Sequence, residues 1–148
     1  MAKKNTIILV EDEKIFAEAI VKTSENYEEF EIMEKKIDKA ISEALNQFNT
    51  NPKLKRHYRC LANIISLAIQ FDDYNLKQLY SKVAPMVNLK NSSGVNSLVS
   101  RYLNELTKKN DPIILEQIFK SCHNPQSPTA KEFIFTIAKE VKNKLGNI

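Results

Sequence analysis

Apolar residues recur at helical spacing along most of the chain. Between about Glu25 and Phe48 they fall at Phe30, Met33, Ile37, Ala40, Ile41, Ala44, Leu45 and Phe48, with Glu31, Lys35, Asp38 and Lys39 between them, which predicts one amphipathic helix. Asn49-Thr50-Asn51-Pro52 breaks the pattern, and Asn51 as cap with Pro52 at the first helical position predicts a second helix. It runs to about Gln70, with Leu54, Tyr58, Leu61, Ile65 and Ala68 inward. A third begins near Asn75 with Leu76, Leu79, Tyr80 and Val83, and Pro85 ends or kinks it because proline lacks an amide donor.

Three further helices follow. Ser92 or Ser93 can cap one carrying Val95, Leu98, Val99, Tyr102, Leu103 and Leu106. Asp111-Pro112 starts another through Ile114, Leu115, Ile118 and Phe119. Thr129 and Glu132 have the spacing of a capping box, in which each side chain satisfies a backbone amide of the first turn, for a last helix with Phe133, Ile134, Ile137, Ala138, Val141 and Leu145 inward and Gly146 at its end. The fold class expected is mainly all-α. Two glycines and no tryptophan in 148 residues agree with it.

Charge divides the chain. Residues 1–51 carry seven Lys/Arg against eleven Asp/Glu, and residues 52–148 carry fifteen against seven, so a net charge of +4 conceals an acidic segment followed by a basic one. A basic excess confined to one part is the electrostatic footprint of a phosphate-backbone binder, although it speaks to association and not to fold. Cys60 and Cys122 are far apart and outside any CxxC, which suggests neither a disulfide framework nor a zinc knuckle and fits a cytoplasmic protein. The apolar run Ile7–Val10 stops at Glu11-Asp12-Glu13, too short for a signal core or a membrane span.

The segment from Leu76 to Leu106 reads as two helices with a tight polar connection, the second apolar on one face and small and polar on the other. Ser93, Asn96, Ser97, Ser100, Arg101 and Asn104 on the polar side can approach base edges or phosphates of double-stranded DNA, as the second helix of a helix-turn-helix does. Lys90, Lys108 and Lys109 flank them as candidate phosphate contacts. An amphipathic helix in an ordinary bundle gives the same pattern.

His57 lies among Lys53, Lys55, Arg56 and Arg59, which suits a surface or phosphate-facing role. Cys122-His123 lacks the ligand count of a zinc site, and no nucleophile with its base and no phosphate-cradling glycine loop is found, so no catalytic residue, metal or cofactor is assigned.

Several short matches occur in order from about Ile41 to Leu145: Pro52 with Tyr58 and Leu61, Ile65-Ser66-Leu67, Tyr80 with Val83-Ala84, Ser93 with Val95 and Val99, and Pro128-Thr129-Ala130-Lys131-Glu132-Phe133-Ile134. This stretch resembles the C-terminal effector domain of the master sporulation response regulator family. The resemblance implies a six-helix DNA-binding domain over residues 49–148, whose helix near 93–106 enters the major groove, often as tandem dimers. The family's recognition helix is rich in arginine, whereas Gly94, Asn96, Ser97 and Ser100 stand here and only Arg101 is basic nearby, which implies altered or weakened sequence readout.

Residues 4–45 resemble the opening of a response-regulator receiver: Thr6–Val10 like its first strand, Glu11-Asp12-Glu13 like its acidic magnesium pocket, and Phe30–Met33 like its second strand. The strand bearing the phosphoacceptor aspartate has no counterpart. Residues 1–48 are therefore expected to form either a receiver-derived βαβ remnant or a long amphipathic helix that mediates association. The expected function is a phosphorylation-independent transcriptional regulator, homodimeric through the N-terminal segment. The alternative is an interaction protein that pairs with a full-length response regulator and antagonises it without reading DNA.

Overall fold

The structure, a computed structural model, describes residues 24–71 and 73–146. The strand-like Thr6–Val10 and the acidic Glu11–Glu13 lie outside the described residues. Six α-helices are formed among those described: α1 (Ser24–Leu45), α2 (Lys55–Gln70), α3 (Leu76–Val83), α4 (Ser92–Lys109), α5 (Pro112–Ile118) and α6 (Ala130–Leu145), with a 3-10 turn over Ala84–Val87. The described residues contain no strand, so the mainly all-α expectation holds for them. Phe30–Met33, which resemble a receiver strand, are helical. Their apolar residues continue a three-and-four spacing into Ala40, Ile41 and Ala44 and do not alternate as a half-buried strand would.

The described residues divide into two units between Ile37 and Asp38. In the first, the described part of α1 exposes Tyr27, Ile32 and Met33. In the second, the last turns of α1 bury Ala40, Ile41, Ala44 and Leu45. The helix ends three residues before the expected Phe48. Asn46 and Gln47 form a turn that swings Phe48 inward, its ring 6.0 Å from that of Phe119 and 5.6 Å from that of Phe133, and Phe119 and Phe133 are themselves 5.3 Å apart. Residues 38–48 thus belong to the same packed unit as residues 49–146, whereas the sequence reading placed them in a separate segment. Lys144 and Glu43 join α6 to the end of α1 at 2.6 Å, but both are about half exposed, so the pair contributes little.

At the centre lies α2, which packs on α6, α4 and α3 through Cys60, Leu61, Ile64, Ile65 and Ala68. Its start differs from the expected one. Pro52 sits in a turn in which the Asn51 side chain accepts from the Lys53 amide, and the helix begins at Lys55 after Leu54, which offers no side-chain cap. Leu54 is buried, so the chain has to travel inward before it can coil. The cap of α4 also moves: Asn91 accepts from the Gly94 amide in place of Ser92 or Ser93, a substitution within the group of short polar caps.

Elsewhere the local chemistry acts as expected. Asn75 with Gln78 and Thr129 with Glu132 form complete capping boxes, Asp111 caps α5 with Pro112 in its first turn, and Gly146 closes α6 with a positive φ of 78°. Ile114 is 47% exposed, because the seven-residue α5 turns only Leu115 fully into the core.

Candidate nucleic-acid interface

The connection from α3 to α4 is tight. The 3-10 turn carries Pro85, Asn88 takes the left-handed conformation with φ 60°, and the Leu89 amide donates back to the Ala84 carbonyl at 2.8 Å. Arg56 of α2 clamps this turn from outside by donating from its guanidinium to the Val87 carbonyl at 2.9 Å. Gly94 then lies against Leu89, where a Cβ would stand 3.3 Å from Leu89 Cδ2. Three separate contacts therefore set the direction in which α4 leaves the turn.

Within α4 the two faces separate cleanly. Val95, Val99, Tyr102, Leu103 and Leu106 are buried. Ser93, Asn96, Ser97, Ser100, Arg101, Asn104 and Lys108 are all exposed and recur every three or four residues, so they share one side of the helix. Lys109 ends the helix and Lys90 precedes it, both exposed. All nine sequence-predicted residues are therefore accessible, and eight of them lie on one element. Ser97 spends its hydroxyl proton on the Ser93 carbonyl at 3.2 Å, one turn back, while its oxygen remains able to accept.

Arg101 stands at the edge of this face, near α2. His57, in the first turn of α2, has a buried Nδ1 with no hydrogen-bond partner, and its pKa is held below the ordinary imidazole value first by burial and then by the Arg101 and Arg56 charges. The imidazole is thus kept neutral beside two guanidinium groups.

Sequence reasoning missed Asn110, a buried side chain just after α4, which donates to the Leu106 carbonyl at 2.7 Å and to the Asn49 carbonyl at 2.8 Å. Its only sequence signal is an asparagine before the Asp111-Pro112 helix start, a position equally suited to a solvent-exposed turn. The Arg56 clamp was missed too, because a basic run on an amphipathic helix carries no mark of which member meets a carbonyl.

Cys122 and His123 do not converge on a ligand set. Sγ of Cys122 lies 3.7 Å from Thr136 Oγ1, the His123 amide donates to Glu132, and among the described residues no three His, Cys, Asp or Glu side chains gather as a metal site. No described helix is long and apolar enough to cross a membrane. No protein-family model, curated protein or solved structure matches the chain.

Proposed function

We propose that the protein is a DNA-binding transcriptional regulator in which α3 and α4 act as a helix-turn-helix and α4 enters the major groove of duplex DNA. The observation that carries this reading is the α4 surface itself: small polar side chains and one arginine along a single accessible face, with Lys90 before it and Lys108 and Lys109 at its end. Small side chains let a helix approach base edges closely, and flanking lysines neutralise phosphates without reading sequence. The basic excess after residue 51 supports the same partner. The resemblance to sporulation-regulator effector domains, which rests on the residues quoted for it, adds a family context; residues 4–45 have no counterpart of the receiver's phosphoacceptor strand, and the regulation proposed is therefore independent of phosphorylation.

A second reading is favoured by one specific feature. Gly94, Asn96, Ser97 and Ser100 provide no bidentate guanine contact, so the protein can instead serve as an interaction partner that occupies a full-length response regulator. Exposed Tyr27, Ile32 and Met33 supply apolar surface for such a partner or for a second copy of this chain. Titration of the purified chain into genomic DNA fragments at two salt concentrations, with sequencing of the retained fragments, separates the two. A shared motif with steep salt dependence supports the regulator; absence of salt-sensitive binding transfers the assignment to the antagonist.

A further inference from the structure

A cleft of about 520 Å3 opens between the last turns of α1, the 49–54 connection and α2, with Tyr102 from the buried face of α4 at its wall. Cavities of roughly 300–1,000 Å3 are the usual size for small-molecule sites. Lys55 and Arg59 both line it, one helical turn apart on α2, both are exposed, and neither has an ion-pair partner among the described residues. Two unpaired like charges one turn apart repel each other, and an anion between them removes that cost. A guanidinium beside an ammonium is also the donor pair that phosphate oxygens favour.

The rest of the lining is mixed, with Ile41, Pro52, Leu54 and Ala62 as its apolar part. Thr50, Asn51 and Asn63 place a hydroxyl and two amides around the cleft, and Asp38 is the one acidic residue lining it. A bare inorganic anion gains nothing from that carboxylate, whereas a ligand bearing hydroxyl groups can donate to it and accept from the amides. We propose that this cleft binds a small organic phosphate of about nucleotide size, its phosphate on Lys55 and Arg59 and its hydroxyl-bearing part on Asp38, Thr50, Asn51 and Asn63. The site is separate from the exposed face of α4 and does not depend on DNA binding.

Adenosine 5′-monophosphate and ribose 5-phosphate, titrated into the full chain and followed by amide NMR and calorimetry, test this. At least one of them is expected to saturate with shifts centred on Thr50, Asn51 and Asn63, and inorganic phosphate to bind about tenfold more weakly or worse. The double variant Lys55→Ala/Arg59→Ala should lose at least about tenfold in affinity for the same probe, while Arg101→Ala and Lys108→Ala, on the α4 face, leave it unchanged. A matching thermal melt shows that the double variant is folded, and Lys55→Gln with Arg59→Gln replaces it if it is not. The proposal fails if neither organic phosphate saturates, if inorganic phosphate binds as well as they do, or if removing both cations has no effect. Loss of binding in Arg101→Ala instead would assign the phosphate to the α4 surface and overturn the cleft assignment.

Discussion

Asn110 and Asn49, 61 residues apart, are joined in both directions: Asn110 Oδ1 accepts from the Asn49 amide at 2.9 Å, and Nδ2 donates to the Asn49 carbonyl at 2.8 Å. The same Nδ2 also reaches the Leu106 carbonyl at 2.7 Å. One buried amide therefore ties the end of α4 to the connection between α1 and α2, and it satisfies backbone groups that a loop cannot otherwise pair. Asn110→Ala removes all three bonds and leaves those groups unmet, so it should destabilise the fold by roughly 1–3 kcal/mol, read as a fall in the urea midpoint with unchanged slope. Asn110→Asp keeps the acceptor but not the donor and should recover only part of the loss.

Phe48 makes the corresponding prediction for the boundary of the packed unit. Its ring meets both Phe119 and Phe133, and it is 5% exposed, so Phe48→Ala should cost about 3–5 kcal/mol. A chain beginning at residue 49 should then be markedly less stable than one beginning at residue 38, measured as thermal midpoints. Equal midpoints would show that the turns of α1 from Asp38 onward are dispensable.

Legibility in the sequence followed the range of the interactions. The helical periods, the Thr129–Glu132 and Asp111–Pro112 starts and the division of α4 into two faces depend on residues within one or two turns of each other, and they read directly from spacing. Pro52 misled because its local fitness for a first helical position was overridden by the demand to bury Leu54. The Arg56–Val87 clamp, the Asn110–Asn49 pairing and the Lys55–Arg59 cleft join segments far apart in the chain, and no local pattern announces them.

His57 gives the fold a pH dependence of definite sign. Its folded-state pKa lies below the ordinary 6.5, from burial and then from Arg101 and Arg56. On the alkaline side of 6.5 both folded and unfolded chains hold it neutral and it contributes no slope. As pH falls below that value the unfolded chain takes up the proton first, so stability declines until the folded-state pKa is passed. Urea midpoints measured across this range should fall less steeply in His57→Gln than in the parent protein. Parallel pH profiles would mean that His57 titrates alike in both states.

The two cysteines should differ sharply in reactivity. Cys60 is 0% exposed and burial pushes its thiol up to about 11, while Cys122 is partly exposed. Since the thiolate is the reactive form, a chromogenic disulfide reagent at mildly alkaline pH should label Cys122 first, and Cys60 only at a rate set by unfolding. Rapid labelling of Cys60 in the folded protein would contradict its placement in the centre of α2.

For the α4 surface, position and chemistry separate the roles of its cations. Arg101 sits midway along the exposed face and Lys108 and Lys109 occupy the last turn, so under the proposed groove docking Arg101 is the candidate for a base edge and the two lysines for the phosphate backbone. Arg101→Ala should therefore weaken binding to a selected site by roughly 1–3 kcal/mol and relax preference at one base position. Lys108→Ala or Lys109→Ala should weaken binding to all sequences alike and reduce the dependence of log K on log salt by about one counterion each. These variants change exposed side chains and leave the buried stripe intact, so their melts should match the parent protein. Unchanged affinity and salt slope in all three would remove α4 as the binding face and leave partner antagonism as the reading to pursue.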